Sequence, residues 1–248
     1  MESPGTSYVQ TGKGRAQKGQ ASARPGHAAT AFIGGTERFG FPAQIILAAD
    51  QGGLDPVGRG QGLCAVVLVV QDWGGILGLT LPMEDAQRYR GLLVMNTTLA
   101  TGEGAPSEGF LAWREMCARN PEFGVGRLLA RGNPHLSTQE CAAYDAPFPD
   151  RGHRAALRAF PPMVPDRPGA DGAAVSRAAR EFWRTRWSGT CLMAIGLQDP
   201  VLGRPVMDAL RADIRGCPEP MLLPQAGHFV QEHGGAVARE AVLRFAGV

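Results

Sequence analysis

The sequence predicts an α/β fold, a mostly parallel sheet with a helical cap inserted between two of its strands, and three observations predict it. Short unbroken aliphatic runs recur, each of the length of a strand buried on both faces. The first of them ends in a glycine-rich turn that leads into a helical pattern. Between the second and third runs lie about ninety residues of another texture, too many for a loop inside a compact domain.

The first run is Ala65-Val66-Val67-Leu68-Val69-Val70, followed by the turn Gln71-Asp72-Trp73-Gly74-Gly75, after which Ile76 to Leu81 can begin a helix. Gly91 to Asn96 reads as the second strand, Cys191 to Gly196 as the third and Pro220 to Pro224 as a short fourth. Ala236 to Phe245 carries apolar residues at loose helical spacing and would close the fold. The segment from Thr97 to Trp187 holds Trp113, Tyr144, Pro147-Phe148-Pro149, Phe160-Pro161-Pro162 and Phe182-Trp183, which read as short helical pieces broken by proline. The expected organisation is an atypical glycine-rich leader and incomplete N-terminal core over 1–65, a first core part over 66–98, the cap over 99–187 and a second core part over 188–248.

At 248 residues and 44% apolar, the chain can bury one good core. No window approaches 18 uninterrupted apolar residues, and the opening Met-Glu-Ser-Pro-Gly has no basic segment followed by an apolar stretch, so neither a membrane span nor a secretory signal is expected. A formal charge of +2 without a basic and aromatic stripe argues against nucleic acid. Cys64, Cys117, Cys141, Cys191 and Cys217 form no C-x-x-C pair, and the histidines form no H-E-x-x-H. Reduced packing thiols in a cytoplasm are expected, with no metal and no cofactor. The first 65 residues hold 13 of the 34 glycines and both lysines, Lys13 and Lys18, and residues 1–30 read as a disordered leader.

The chemistry rests on three residues. The turn at Asp72 has the layout of a nucleophile elbow, a strand, a reactive residue and then glycines that let the next helix approach. A carboxylate at the apex suits attack on an alkyl carbon rather than on a peptide or ester carbonyl. The competing reading is an N-cap, a position that Asp favours. Asp199 follows the third strand in Gly196-Leu197-Gln198-Asp199-Pro200, and His228 follows the fourth in Ala226-Gly227-His228-Phe229. Nucleophile, acid and histidine in that order, each at a strand's C-terminal end, is the order of α/β-hydrolases. His27, His135, His153 and His233 read as surface or packing residues.

From about Val66 onward the sequence resembles the haloalkane dehalogenases, in the branch whose acid follows the strand after the cap. The resemblance rests on Leu68 to Gly75, Leu79-Thr80-Leu81-Pro82-Met83, Tyr144 to Asp150, Ala194 to Asp199, Gly216-Cys217-Pro218-Glu219-Pro220 and Ala226 to Glu232. It implies that Asp72 displaces halide from a haloalkane to give an alkyl ester. His228 would then activate water against that ester, with Asp199 holding the imidazole, and a primary alcohol would leave. Trp73 would stabilise the halide through its indole N–H, and its backbone N–H would face the ester oxyanion. Ile76, Phe160, Pro161, Val164, Val201 and Leu202 stand where the family lines its substrate cavity. The partners implied are a small halogenated aliphatic substrate and a halide ion, and a monomer is expected.

Two departures qualify the resemblance. Where the family has a second halide-binding tryptophan on the cap, this sequence reads Arg131-Gly132-Asn133-Pro134, with the Asn133 amide as a substitute donor. No His-Gly dipeptide, which supplies the family's other oxyanion donor, occurs before Asp72, and only Arg38-Phe39-Gly40-Phe41-Pro42 resembles the family's early turn. A truncation, a gene fusion or a shifted reading frame would each explain the change of composition near residue 65, and missing strands would leave a sheet edge open. The alternatives are an inactive or degenerate α/β-hydrolase, or an epoxide hydrolase. The latter needs cap tyrosines, of which the cap offers only Tyr144.

Overall fold

The computed structural model describes the backbone of residues 29–33 and 45–49 and the chain from 65 to 246. The leader over 1–30 (but for its last two residues), the turn at Arg38 to Pro42, Cys64 and His27 lie outside the described residues. Six strands form one sheet in chain order: β1 (Ala29–Ile33), β2 (Ile45–Ala49), β3 (Val66–Gln71), β4 (Tyr89–Met95), β5 (Thr190–Gly196) and β6 (Met221–Leu223). The pairs β3–β4, β4–β5 and β5–β6 are parallel, whereas β1–β2 and β2–β3 are antiparallel. The edge of β3 that the sequence reading leaves open is thus covered by β2, and the open edge passes to β1. Ile45-Ile46-Leu47-Ala48-Ala49 is an apolar run of strand length, which is why it can take that place.

Alternation along the parallel strands sorts their side chains onto two faces. Val66, Leu68 and Val70 of β3, Leu92 and Val94 of β4, and Cys191, Met193 and Ile195 of β5 share one face. Against it pack Ala179, Phe182 and Trp183 of α6 (Ala173–Thr185) and Met207 and Leu210 of α7 (Arg204–Asp213). Val67, Leu93, Met95, Leu192 and Ala194 face the other way, onto Val237 and Phe245 of α8 (Gly234–Phe245). Helices cover both faces, as buried parallel strands require.

The strand at β3 leads directly into α1 (Trp73–Gly78), which starts three residues earlier than the periodicity predicts and stops at Gly78, before a 3-10 turn over Leu81–Met83. The inserted segment contributes α2 (Glu108–Arg119), α3 (Val125–Gly132), α4 (Thr138–Asp145) and α5 (Ala155–Met163) ahead of α6. Ser107 caps α2 by accepting from the Phe110 amide, and Ser137 with Glu140 forms a capping box on α4. Val125, Leu129, Phe148 and Leu157 make a small core of their own, packed against Tyr144 and against Phe229, the neighbour of His228. Helix α6 lies in the same segment but packs into the main core, where the Trp183 indole donates to the Leu79 carbonyl (2.8 Å). Helix α6 thus packs against the sheet, apart from the small core that α3 and α5 share. Among the described residues no helix is long and apolar enough to cross a membrane.

Candidate active site

The C-terminal ends of β3, β4, β5 and β6 converge, and each delivers polar side chains to one place. After β3 the chain turns through Asp72 at φ 50°, ψ −129°, a left-handed conformation that costs a non-glycine residue of order 1–3 kcal/mol. The turn is held from its main chain: the Asp72 amide donates to the Asn96 carbonyl (3.0 Å), and the Asp72 carbonyl accepts from Thr97 Oγ1 (2.6 Å) and from the Gly75 amide (2.9 Å). Helix α1 comes so close to β4's end that a Cβ on Gly75 would lie 1.9 Å from Thr97 Oγ1, which is the close approach the glycine pair predicts. Asp72 stands at the N-cap position of α1, but its carboxylate makes no capping hydrogen bond to the helix.

That carboxylate faces His228 instead. His228 Nε2 lies 3.5 Å from Asp72 Oδ1, and its Nδ1 lies 2.8 Å from Asp199 Oδ2. The side chains of Asp72, His228 and Asp199 are 38%, 22% and 0% exposed, a gradient from an accessible group to a sealed one. Asp199 is fully partnered: Oδ1 accepts from the Val201 and Leu202 amides (2.8 and 3.0 Å), and Oδ2 also accepts from Asn96 Nδ2 (2.9 Å). Burial works against its charge, but the hydrogen bond and charge of His228, with those of Asn96 and Leu202, hold its carboxyl below the usual range. Burial likewise opposes a charged His228, yet the Asp72 charge and the Asp199 hydrogen bond prevail and push its pKa up from 6.5 to about 10.

This sets a pH dependence of stability. The folded pKa exceeds the unfolded one, so the stabilisation is complete below pH 6.5 and disappears as the pH rises through about 10. The melting temperature should therefore fall across that interval, and Asp72→Asn should shrink the fall, because the charge opposite Nε2 is gone. Melting curves of both proteins at a series of pH values check this; parallel curves would refute it.

Val201 and Leu202, expected to line a cavity, act here through their main chain, as donors to Asp199. Trp73 stacks on Phe160 of α5, rings 4.7 Å apart and inclined by 32°, which brings the cap over the elbow. Its indole N–H donates to no partner among the described residues. Ile76 follows on α1, Pro161 is buried in the last turn of α5, and Val164 ends that helix. Gly132 is the last residue of α3, with its carbonyl 3.7 Å from where a Cβ on Gly227 would stand, next to His228. Asn133 is buried: one N–H of its Nδ2 donates to the Leu129 carbonyl (3.1 Å), and its buried Oδ1 accepts from nothing among the described residues. Tyr144 donates its hydroxyl to the Glu232 carboxylate and so is not a free acid, which removes the tyrosine an epoxide hydrolase would need.

Sequence reasoning missed Asn96 and Gln71. Asn96 grips both Asp199 and β5, donating to the Gly196 carbonyl (3.1 Å) and accepting from its amide (2.8 Å). Gln71 Nε2 donates to the His228 carbonyl (2.8 Å), tying the elbow to the histidine loop. Their signal is a polar side chain at the C-terminal end of an otherwise apolar strand.

The mostly parallel sheet, the bend at Asp72 and the chain order carboxylate, acid, histidine are those of the α/β-hydrolase fold. Comparison narrows this further. The chain is 35% identical over 184 residues to a haloalkane dehalogenase of Mycolicibacterium paratuberculosis, covering 73% of this chain and 60% of that one. It is 35% identical over 179 residues to haloalkane dehalogenase 1 of Mycobacterium tuberculosis strain H37Rv, covering 72% and 59%. The structure of haloalkane dehalogenase DpaA from Paraglaciecola agarilytica NO2, described as tetrameric, superposes with a TM-score of 0.68 at 43% identity, over 70% of this chain and 58% of that one. DatA from Agrobacterium tumefaciens C58 shares the fold, with a TM-score of 0.61 at 22% identity. No family model matches the chain. The chain is similar to these haloalkane dehalogenases and spans about three fifths of the length of the curated relatives it matches.

Proposed function

We propose that the protein hydrolyses carbon–halogen bonds of small haloalkanes through an ester on Asp72. A carboxylate oxygen of Asp72 attacks the carbon that carries the halogen, the carbon–halogen bond breaks, and the halide leaves with its electron pair toward the Trp73 indole N–H, which has no partner among the described residues. Water then gives a proton to His228 Nε2 as its oxygen adds to the ester carbonyl. The main-chain N–H of Trp73, among those a helix start leaves unpaired, stabilises the oxyanion, and collapse releases a primary alcohol. Asp199 balances the imidazolium charge. Alkylation itself prepares the second step. The neutral ester removes the Asp72 charge that holds His228 protonated, so the imidazolium gives its proton to solvent water and becomes a base.

The observation that carries this reading is a histidine with one ring nitrogen 2.8 Å from a sealed carboxylate and the other 3.5 Å from an exposed one. No serine or cysteine hydroxyl or thiol stands at the elbow. Gly132, which brings no donor of its own, favours a second reading, an inactive relative. One experiment separates the two: halide release from 1,2-dibromoethane and 1-bromobutane, with Asp72→Ala as control. Release by the unaltered protein and none by the variant is expected; equal release by both, or by neither, would refute the proposal. For assembly, the monomer expected from the sequence stands against the tetramer described for the Paraglaciecola protein, and the mass in solution decides between them.

A further inference from the structure

Position 71 is one where an aliphatic side chain would suit the sheet. Alternation along β3 puts Val67, Val69 and Gln71 on the same face, the face on which Leu93, Met95, Leu192 and Ala194 meet Val230 and Val237. A glutamine at that place needs a polar partner, because an amide shut off from water without a hydrogen bond is costly. The partner is the main chain of the histidine: Gln71 Nε2 donates to the His228 carbonyl (2.8 Å), which also accepts from the Val230 amide (3.1 Å).

The sheet order gives this bond its weight. Strands β3 and β6 stand three places apart, roughly 14 Å at the usual spacing of paired strands. The chain leaving β6 must therefore cross back over the ends of β5 and β4 to bring His228 to Asp72. It lies so close on β5 that a Cβ on Gly196 would stand 2.1 Å from the Gly227 carbonyl oxygen. The hydrogen bonds along this crossing lead to β5 and β6. Gln198 donates from its amide to the Ala226 carbonyl (2.9 Å) and from Nε2 to the Pro224 carbonyl (2.9 Å), and the Ala226 amide donates to the Leu223 carbonyl (3.1 Å). Among the described residues, Gln71 is what ties the main chain of His228 to the strand that carries the nucleophile, and Gln71 is the covalent neighbour of Asp72.

We propose that Gln71 is a positioning residue for the hydrolytic step, setting through the His228 carbonyl how close Nε2 stands to the Asp72 carboxyl. The inference rests on the reaction proposed above. Displacement of halide needs the Asp72 carboxylate and a partner for the halide, and it uses neither His228 nor the bond that holds it. The attack of water needs Nε2 within reach of a water at the ester carbonyl, and a displacement of about 1 Å there can cost about 10² in rate. Loss of the Gln71 N–H should therefore spare the first step and slow the second.

Rapid-quench kinetics of the full chain with 1-bromobutane test this. Gln71→Met keeps the length and suits the apolar face but removes the N–H. It should release a burst of bromide close to one per chain and then turn over roughly 10- to 100-fold more slowly than the unaltered protein, with Asp72 carrying the butyl ester. A loss of folded protein would lower burst and steady rate together, so the split between them is the mark of positioning. NMR titration of the His228 ring without substrate gives a second reading. With Nε2 no longer held against Asp72, its pKa should drop from about 10 toward 6.5. Turnover or titration like that of the unaltered protein in the folded variant, or a burst that falls in proportion to the steady rate, would overturn the proposal. If the variant does not fold, the unaltered protein decides. Its Gln71 side-chain amide protons should exchange with solvent more slowly than those of the exposed Gln139, and equal rates would overturn the proposal. No bromide from the unaltered protein would instead refute the reaction, and this role with it.

Discussion

Quenched during reaction with 1-bromobutane, the His228→Phe variant should yield an Asp72 peptide carrying a butyl ester, close to one per chain. Phe keeps a ring in the space between Asp72 and Asp199 but supplies no base. The attack on carbon needs only the Asp72 carboxylate and a partner for the departing halide, so the ester still forms. The attack of water needs its proton removed as it adds, and a positioned base is worth about 10²–10⁴ in rate. Hydrolysis should slow by that factor, and the covalent state should become the resting state. In the unaltered protein the same state should be brief, because alkylation cancels the charge 3.5 Å from His228 Nε2 and releases the base. The Asp199→Asn variant should lie between the two: the imidazole keeps its place, but no carboxylate offsets its charge. A folded His228→Phe protein that consumes substrate without marking Asp72, or marks another carboxylate, would end the account.

Much of that site was legible in the sequence because a parallel strand buried on both faces must be a nearly continuous apolar run. The runs Ala65–Val70, Gly91–Asn96 and Cys191–Gly196 stand out for that reason, whereas Pro220–Pro224 covers a strand that is only half-buried, and Asp72 and Asp199 each stand just beyond the end of a buried run. Asp72 and Asp199 were found this way. Asn96 was not, although it breaks the β4 run just as Asp72 breaks β3, because an amide carries no reactive chemistry of its own. Its role shows only through the Asp199 oxygen and Gly196 backbone it holds. The inserted segment's composition does not show which of its residues pack on the sheet. Phe182 and Trp183 read as part of the aromatic insert, yet Trp183 faces the sheet, with its indole bonded to Leu79. Helical phase, not composition, decides which way such residues point. The antiparallel entry of β1 and β2 was illegible for another reason: strand direction is not written in an apolar run of five residues.

Replacing Gly132 with Trp should raise turnover of 1-chlorobutane by about 10², the reverse of deleting one donor from a dry anion site, which costs roughly 3 kcal/mol. In the proposed reaction the departing halide meets one indole, that of Trp73, and one N–H of the neighbouring Asn133 amide already donates to the Leu129 carbonyl. A Cβ built on Gly132 meets nothing within 4 Å and the position is exposed, so a side chain can begin there without a clash at its first carbon. The position ends α3 with an ordinary backbone conformation, and losing a glycine from the helix favours that helix by up to about 1 kcal/mol. The gain should be largest for chloride, the poorest leaving group, and smaller for bromide and iodide, whose bonds break with less help. Gly132→Phe separates the donor from mere bulk: it closes the same space and excludes the same water but offers no N–H, so it should leave the chloride rate near that of the unaltered protein. If the Trp variant folds and its chloride turnover is unchanged or lower, the halide does not depart toward the end of α3, and Trp73 does not share its task with that position.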